Sequence, residues 1–378
     1  MAGQIIRRGN RKWLVRIYLG TDPGTGKRRY FNHTVNGSKK EAERYRTSKL
    51  SEKDSGKFVE PTRMSVDAYL DRWLEDSAKP RLRRRTFEDY KWLLKAYVRP
   101  VLGGNRLDQI QPLDVQSLYN KMRERGLSGR TVHVTHNVVR LAFKQAVRWK
   151  MLSQNPTEGV DLPRWEKREM LALSPEEVVR FRAAASSDRW GVLFDLALVT
   201  GMRPAEILGL RWRDVNLVTG SLMVRQTLAR TGKAWRFEPP KTEKSRRTIP
   251  LPRPVVRTLA AHKARQAEIR LRFGTEYQDH DLVFAGARGA PLDSRSLVRR
   301  HLKPILLRAN LPEAIRFYDL RHTCASLLLA AGENAKVVSE RLGHAGVTIT
   351  LDTYGHVMPG MQEQATARLE ELIFGLPS

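Results

Sequence analysis

Two arginines, a lysine, a histidine and a late tyrosine are the residues of this chain whose types suit phosphate chemistry. Arg203 lies in TGMRPAEILGL, Lys241 in PPKTEKSRRTIPL, Arg321 in FYDLRHTCAS, His344 in LGHAGVTIT and Tyr354 in DTYGH. A guanidinium presents a planar fork of donors that matches two oxygens of one phosphate. A phenol, with a reference pKa of about 10, becomes a useful nucleophile only where cations stabilise its developing charge. Taken singly, each residue has an ordinary explanation: surface arginines pair with carboxylates, hairpin lysines are solvated and tyrosines pack. Only their combination points to a reaction.

The local sequence predicts how each is held. Arg203 precedes Pro204, and a residue before proline avoids helical backbone, so a helix begins just after Arg203. Helix N-termini favour anions, Glu206 supplies a first-turn carboxylate, and Ile207, Leu208 and Leu210 form the buried side. Strand-like runs at 221–227, 234–238 and 246–251 predict a small antiparallel sheet whose last turn carries Lys241, with Lys244, Arg246 and Arg247 as rival phosphate contacts. Arg321 opens an apolar helix holding Ala325, Leu328 and Leu329. Gly343 has the position of a C′ glycine after a helix bearing Val337, Val338 and Leu342, which presents His344 just past the helix end. His322 reads as a packing or hydrogen-bonding neighbour.

Charge restricts the partner. Sixty-eight Lys and Arg against forty Asp and Glu give the 378 residues a formal net charge of +28, which implies a polyanion. No segment reads as a membrane span, secretory signal or lipidation site, so nucleic acid is preferred to a membrane surface. The single cysteine, Cys324, excludes an internal disulfide framework and a Cys-rich zinc site, and suits a reducing cytoplasm. The nine histidines show no HExxH spacing, so neither metal nor other cofactor is expected.

The length suits two or three domains. Residues 1–60 hold fifteen Lys and Arg against six Asp and Glu. They alternate in β fashion over 13–19 and 27–35 around an Asp22-Pro23-Gly24 turn, with a further short strand near Ile5 and Ile6 and a charged helix opened by Ser38 and running to about Asp54. Such a basic sheet can enter a major groove, with Arg28 and Arg29 as candidate DNA contacts. Pro61 marks a linker, after which residues 64–155 turn to a 3.6-residue period. Helices are expected at Val66–Leu74, after a Thr86/Asp89 capping box, from Pro112 towards Gly126, and from about Arg130 to Lys150. The last sets His136, Arg140, Lys144 and Arg148 at steps of four, opposite Val134, Val138, Leu141 and Val147: a phosphate-tracking stripe or an ordinary solvated face. An irregular connection with Pro156, Gly159 and Pro163 precedes a new domain, 170–378, opened by the Ser174-Pro175-Glu176-Glu177 capping box. A final amphipathic helix is expected over 359–374, with Met361, Ala365, Leu369, Leu372 and Ile373 on one face.

The strings TGMRPAEILGL, KTEKSRRTIPL, DLRHT, LGH and TYGH, in that order over about 170–360, resemble the tyrosine recombinase (phage integrase) family. The resemblance implies an α+β multidomain chain: a small three-stranded sheet plus helix that binds arm-type DNA (1–60), a helical SAM-like core-binding domain (64–155), and a mainly α catalytic domain with a small antiparallel sheet (170–378). It assigns Arg203 and Arg321 to the phosphate, Lys241 to the 5′-oxygen leaving group, His344 to the phosphate or its protons and Tyr354 to nucleophilic attack. The family's His-x-x-Arg histidine is replaced here by Tyr318, expected to make a supporting contact to the phosphate or His344. Attack would leave a 3′-phosphotyrosine and a free 5′-hydroxyl, so strands are exchanged without ATP and DNA of a phage or other mobile element is integrated or excised. Implied partners are two double-stranded attachment sites, a homo-tetramer on DNA, and an excisionase or host DNA-bending protein, in a bacterial cytoplasm. Two rival functions remain on sequence alone: type IB topoisomerase-like resealing of one strand, and a DNA-binding regulator that has lost cleavage.

Overall fold

The computed structural model describes residues 3–56, 58–165, 170–232, 234–240 and 242–355, then 366, 369–370 and 373–375. The chain divides into two compact units, residues 1–167 and 168–378.

The first unit opens with an antiparallel sheet in the order β1 (Gly3–Gly9), β2 (Lys12–Thr21), β3 (Arg28–Asn36). Alternation along β2 buries Val15 and Ile17 completely, and both pack with Phe31 and Ala42. Ala42 lies on α1 (Lys39–Asp54), which begins at Ser38 with a reciprocal Ser38/Glu41 capping box. The strand near Ile5 and Ile6 and the charged helix after Ser38 are therefore where the sequence put them.

A second apolar cluster in this unit is helical. It is built on α2 (Val66–Trp73) and α3 (Arg84–Leu93), each prolonged by a π-helical turn, then α4 (Arg99–Leu102), α5 (Pro112–Glu124) and α6 (Gly129–Arg148). Tyr69, Leu94, Leu118 and Phe143 are among its most buried side chains. Thr86 does not cap α3: the helix starts two residues earlier, after Arg83 in extended conformation, so Thr86 lies inside the first turn. The capping pattern was present in sequence, but the backbone turned before it was reached.

In the second unit the helices are α7 (Pro175–Ala185), α8 (Gly191–Thr200), α9 (Pro204–Leu208), α10 (Arg253–Phe273), α11 (Ser294–Leu297), α12 (Lys303–Arg308), α13 (Asp319–Ala330), α14 (Ala335–Leu342) and α15 (Val347–Tyr354). Ser174 caps α7 through the expected box with Glu177. The predicted single sheet is two: β4 (Val215–Asn216), β5 (Ser221–Val224) and β8 (Arg247–Pro250) form one, and β6 (Thr227–Thr231) with β7 (Ala234–Glu238) form a separate hairpin. Run 221–227 thus splits at residues 225 and 226, and its two ends pair with different partners. Helix α8 is buried nearly all round, and α13, which carries Arg321, packs beside it.

Most of the expected C-terminal helix lies outside the described residues, and Leu369 and Ile373, which are described, are exposed. No helix among the described residues is long and apolar enough to cross a membrane.

Candidate active site

Helix α8 ends at Gly201, which takes a left-handed φ of 61°. The left-handed backbone favours glycine, and a side chain there would also press on Leu342, whose Cδ2 would lie 2.5 Å from its Cβ. The freed Gly201 carbonyl accepts a 2.8 Å hydrogen bond from Arg321 Nη1. Two residues later the chain turns into α9, with Arg203 extended (φ −67°, ψ 148°) ahead of Pro204, as the proline predicted.

Glu206 does more than begin a helix. It is 1% exposed, accepts from the Arg203 amide at 3.0 Å and from Arg203 Nη1 at 2.7 Å, and its other contact is Arg247 Nη2 at 3.0 Å. Burial alone would raise its pKa, but the charge and hydrogen bond of Arg247, followed by Arg203, overcome that and hold it below the usual carboxylate value. Arg203 Nη2 also donates to the Gly343 carbonyl at 3.2 Å, so this guanidinium is fixed at both ends. Arg247, a rival phosphate contact by sequence, is instead a buried brace: its side chain is 7% exposed and bonds Glu206 and the Arg341 carbonyl. Nothing in the local sequence separated it from Arg246; only burial does.

Arg321, on the first turn of α13, is 1% exposed. Among the described residues its Nε and Nη2 have no hydrogen-bond partner. Burial first, and then the charge of Arg203, lowers its pKa to about 10, which still leaves it charged at neutral pH. Two buried, unpartnered guanidinium nitrogens beside a second arginine are an energetic liability unless an anion completes them.

Helix α14 ends in a left-handed Gly343 (φ 67°) with Gly343 N bonded to Glu340 O and His344 N to Ser339 O, the C-terminal motif predicted. It sets His344 just beyond the helix, where Nδ1 shares a 2.8 Å hydrogen bond with Thr350 Oγ1. Burial, then Arg321 and Arg203, pulls the imidazole down to about 4, so it is neutral at neutral pH.

Tyr354 closes α15, is 1% exposed and packs among Ala325, Leu329, Val338 and Leu342. Burial raises its pKa and the Arg321 charge opposes that. Its hydroxyl is 2.7 Å from His322 Nδ1. Tyr318 is 39% exposed, and its ring meets that of His322 edge-on at 5.1 Å. Arg203, Arg321, His344 and Tyr354 therefore lie near one another, Arg321 within electrostatic reach of each of the other three, with Tyr318 alongside. Lys241 lies outside the described residues; nearby, Lys244 Nζ donates to the Ala345 carbonyl at 2.7 Å, next to His344.

The phage integrase family profile matches residues 172–360. The chain belongs to the phage integrase family. Residues 66–123 match the N-terminal SAM-like domain of phage integrases. An integrase of Streptomyces ambofaciens is 30% identical over 350 residues, covering 91% of this chain and 89% of its own. A tyrosine recombinase XerC-like protein of Caldanaerobacter subterraneus subsp. tengcongensis is 29% identical over 389 residues, 97% of this chain and 98% of that one. The fold resembles the Tn1549 transposon integrase in complex with transposon right end DNA (TM-score 0.69, 21% identity, 82% of this chain and 99% of that chain). It also resembles a lambda integrase tetramer bound to a Holliday junction (TM-score 0.58, 19% identity, 92% and 94%). This protein is a tyrosine-type site-specific recombinase, and neither the regulator nor the topoisomerase-like function is favoured.

Outside the pocket, the recombinase exposes Arg140, Lys144 and Arg148 on α6. The fourth member of that row differs: His136 is partly buried and its Nδ1 bonds the Tyr119 hydroxyl at 3.0 Å. Val134 and Leu141, expected on the apolar side, are 42% and 48% exposed, while Val139, Ala142 and Phe143 are buried instead. The buried face is rotated by about one residue from the one chosen by sequence. Arg28 and Arg29 begin β3 and are exposed; Arg29 pairs with Glu60 at 2.8 Å across the surface.

Proposed function

We propose that the pocket cleaves and rejoins DNA by attack of Tyr354 on a backbone phosphate held between Arg203 and Arg321, leaving a 3′-phosphotyrosine and a 5′-hydroxyl. The observation that carries this is the pair of buried nitrogens on Arg321 that lack a partner among the described residues, which a non-bridging phosphate oxygen would satisfy. Arg203, tied by Glu206 and the Gly343 carbonyl, offers the second fork. Charge grows on these oxygens as phosphorus becomes five-coordinate, so donors fixed in advance favour the transition state over the ground state. Neutral His344 donates to the same phosphate. Lys241 protonates the leaving 5′-oxygen, in keeping with the family's hairpin lysine. Tyr318 supports the phosphate from the pocket edge.

Because burial keeps the Tyr354 phenol protonated, it reacts only once a phosphate is seated among the cations. That couples cleavage to correct binding and stores the bond energy for a hydroxyl from a second duplex. Arg140, Lys144 and Arg148 track one phosphate backbone from the 64–155 domain, and Arg28 and Arg29 bind a separate arm site from the 1–60 domain. The catalytic domain, 170–378, assembles as a homo-tetramer on two attachment-site duplexes of a phage or mobile element in the bacterial cytoplasm, with an excisionase or host DNA-bending protein setting direction.

The test is a nicked duplex spanning the element's junction. A denaturation-resistant protein–DNA adduct is expected from the wild-type chain and none from Tyr354→Phe. Adduct formation that persists in Tyr354→Phe would refute the assignment. Chelator should leave the adduct yield unchanged, because cations of the chain itself occupy the place a metal would take.

A further inference from the structure

The proton of Tyr354 has to leave for the phenol to attack, and the pocket holds two histidines. His344 has its Nδ1 engaged with Thr350 Oγ1. His322 faces the phenol, with Nδ1 2.7 Å from the Tyr354 oxygen, and this is the hydroxyl's one hydrogen bond among the described residues. We propose that His322 is the general base of the reaction, accepting the Tyr354 proton at Nδ1 as the phenolic oxygen bonds to phosphorus. This deepens the reading of Tyr354 as nucleophile and rests on it.

The placement follows from the helix. Tyr318 and His322 are one turn apart around the start of α13, so the residue that replaces the family histidine lies over the imidazole in question. The Tyr318 ring is edge-on to His322 at 5.1 Å and the Tyr354 ring lies at 5.6 Å on another side, which fixes the imidazole between two aromatics. His322 is 9% exposed. The groups acting on it electrostatically are Asp319, Arg321 and Arg316, with the Tyr318 and Tyr354 phenols and the His344 imidazole also near. Burial, offset in part by Asp319 and assisted by Arg321 and Arg316, pulls its pKa to about 4, so before DNA binds the ring is neutral, and its Nε2–H tautomer is the one whose Nδ1 accepts from the Tyr354 hydroxyl. A phosphate seated on Arg321 cancels part of that positive field and raises the basicity of His322 when it is needed.

The step balances within the pocket. An oxygen lone pair of Tyr354 forms the bond to phosphorus, its hydrogen passes to His322 Nδ1, and the bond from phosphorus to the 5′-oxygen breaks with its electrons on that oxygen, which is protonated by the leaving-group acid. On rejoining, the His322 imidazolium returns the proton to the departing phenolate.

Single-turnover adduct formation by the full chain on the nicked junction duplex tests this. His322→Gln keeps a hydrogen-bonding side chain but cannot take up the proton. It should slow cleavage by about 10²-fold or more with DNA affinity unchanged. Above neutrality the wild-type rate should be nearly flat, whereas the variant should rise about tenfold per pH unit towards the phenol's own pKa. A purely structural histidine would not change that slope. Added imidazole should partly restore His322→Ala, and a 5′-bridging sulfur leaving group should not rescue His322→Gln. Wild-type rate and profile in His322→Gln, or its rescue by the sulfur leaving group, overturns the inference while leaving Tyr354 as nucleophile. No adduct from the wild-type chain overturns both.

Discussion

Replacing Glu206 by alanine should cost this protein more stability than any substitution on its surface. The carboxylate is 1% exposed and neutralises two guanidiniums, Arg203 at 2.7 Å and Arg247 at 3.0 Å, while also capping the Arg203 amide. Removing one partner of a buried ion pair costs about 3–5 kcal/mol, because the remaining charge stays desolvated. For a cooperative unit of 150–250 residues, that corresponds to a melting temperature lower by roughly 6–20 °C. Glu206→Gln restores the shape and the amide cap but not the charge, so it should fall between wild type and alanine.

The pH dependence separates charge from packing. Glu206 has a folded pKa below its unfolded value, so its contribution is present above the ordinary glutamate range and is lost as pH falls through the lowered folded value. Melting curves from pH 7 down to about 3 should therefore converge for wild type and Glu206→Gln as acid removes the wild-type charge. Without Glu206 the pocket carries uncompensated positive charge, and a phosphate or sulfate should stabilise the variant more than the wild type. A drop below about 2 °C for Glu206→Ala, or parallel curves through the acid range, would refute the view that this carboxylate organises the pocket.

Further outcomes follow from the same geometry. Arg203→Lys and Arg321→Lys should each slow adduct formation by about 10²-fold or more with modest loss of DNA affinity, since an ammonium cannot replace a fork already tied to Gly343 O or Gly201 O; single-turnover kinetics decide this. Gly343→Ala should destabilise by about 1–2 kcal/mol from the left-handed backbone alone. Its Cβ would also come within 2.9 Å of Arg247 Nη1, so loss of activity should accompany the lower melting temperature. Changing Arg140, Lys144 and Arg148 together to glutamine should flatten the salt dependence of DNA binding by up to about 2.7 in the logarithmic slope, without altering sequence preference; titrations at several salt concentrations measure it.

The sequence alone determined the features that are local. Ser38, Ser174 and Gly343 fixed helix ends because capping and left-handed backbone depend on residues three or four positions apart. Pro204 placed Arg203 at a helix start for an equally local steric reason. Charge pointed to a polyanion, and the ordered motifs pointed to the family. What the sequence misplaced was decided by pairing or packing: run 221–227 divides between two sheets because its halves find different partners, and the buried face of α6 is set by the helices against it. The assignment of Arg247 to a buried brace and of His322 to the phenol of Tyr354 was tertiary as well. Arg247 reaches a carboxylate 41 residues before it, and His322 a hydroxyl 32 residues after it. No periodicity encodes such contacts, because folding alone decides which of several similar basic or aromatic side chains is withdrawn from water and given a partner.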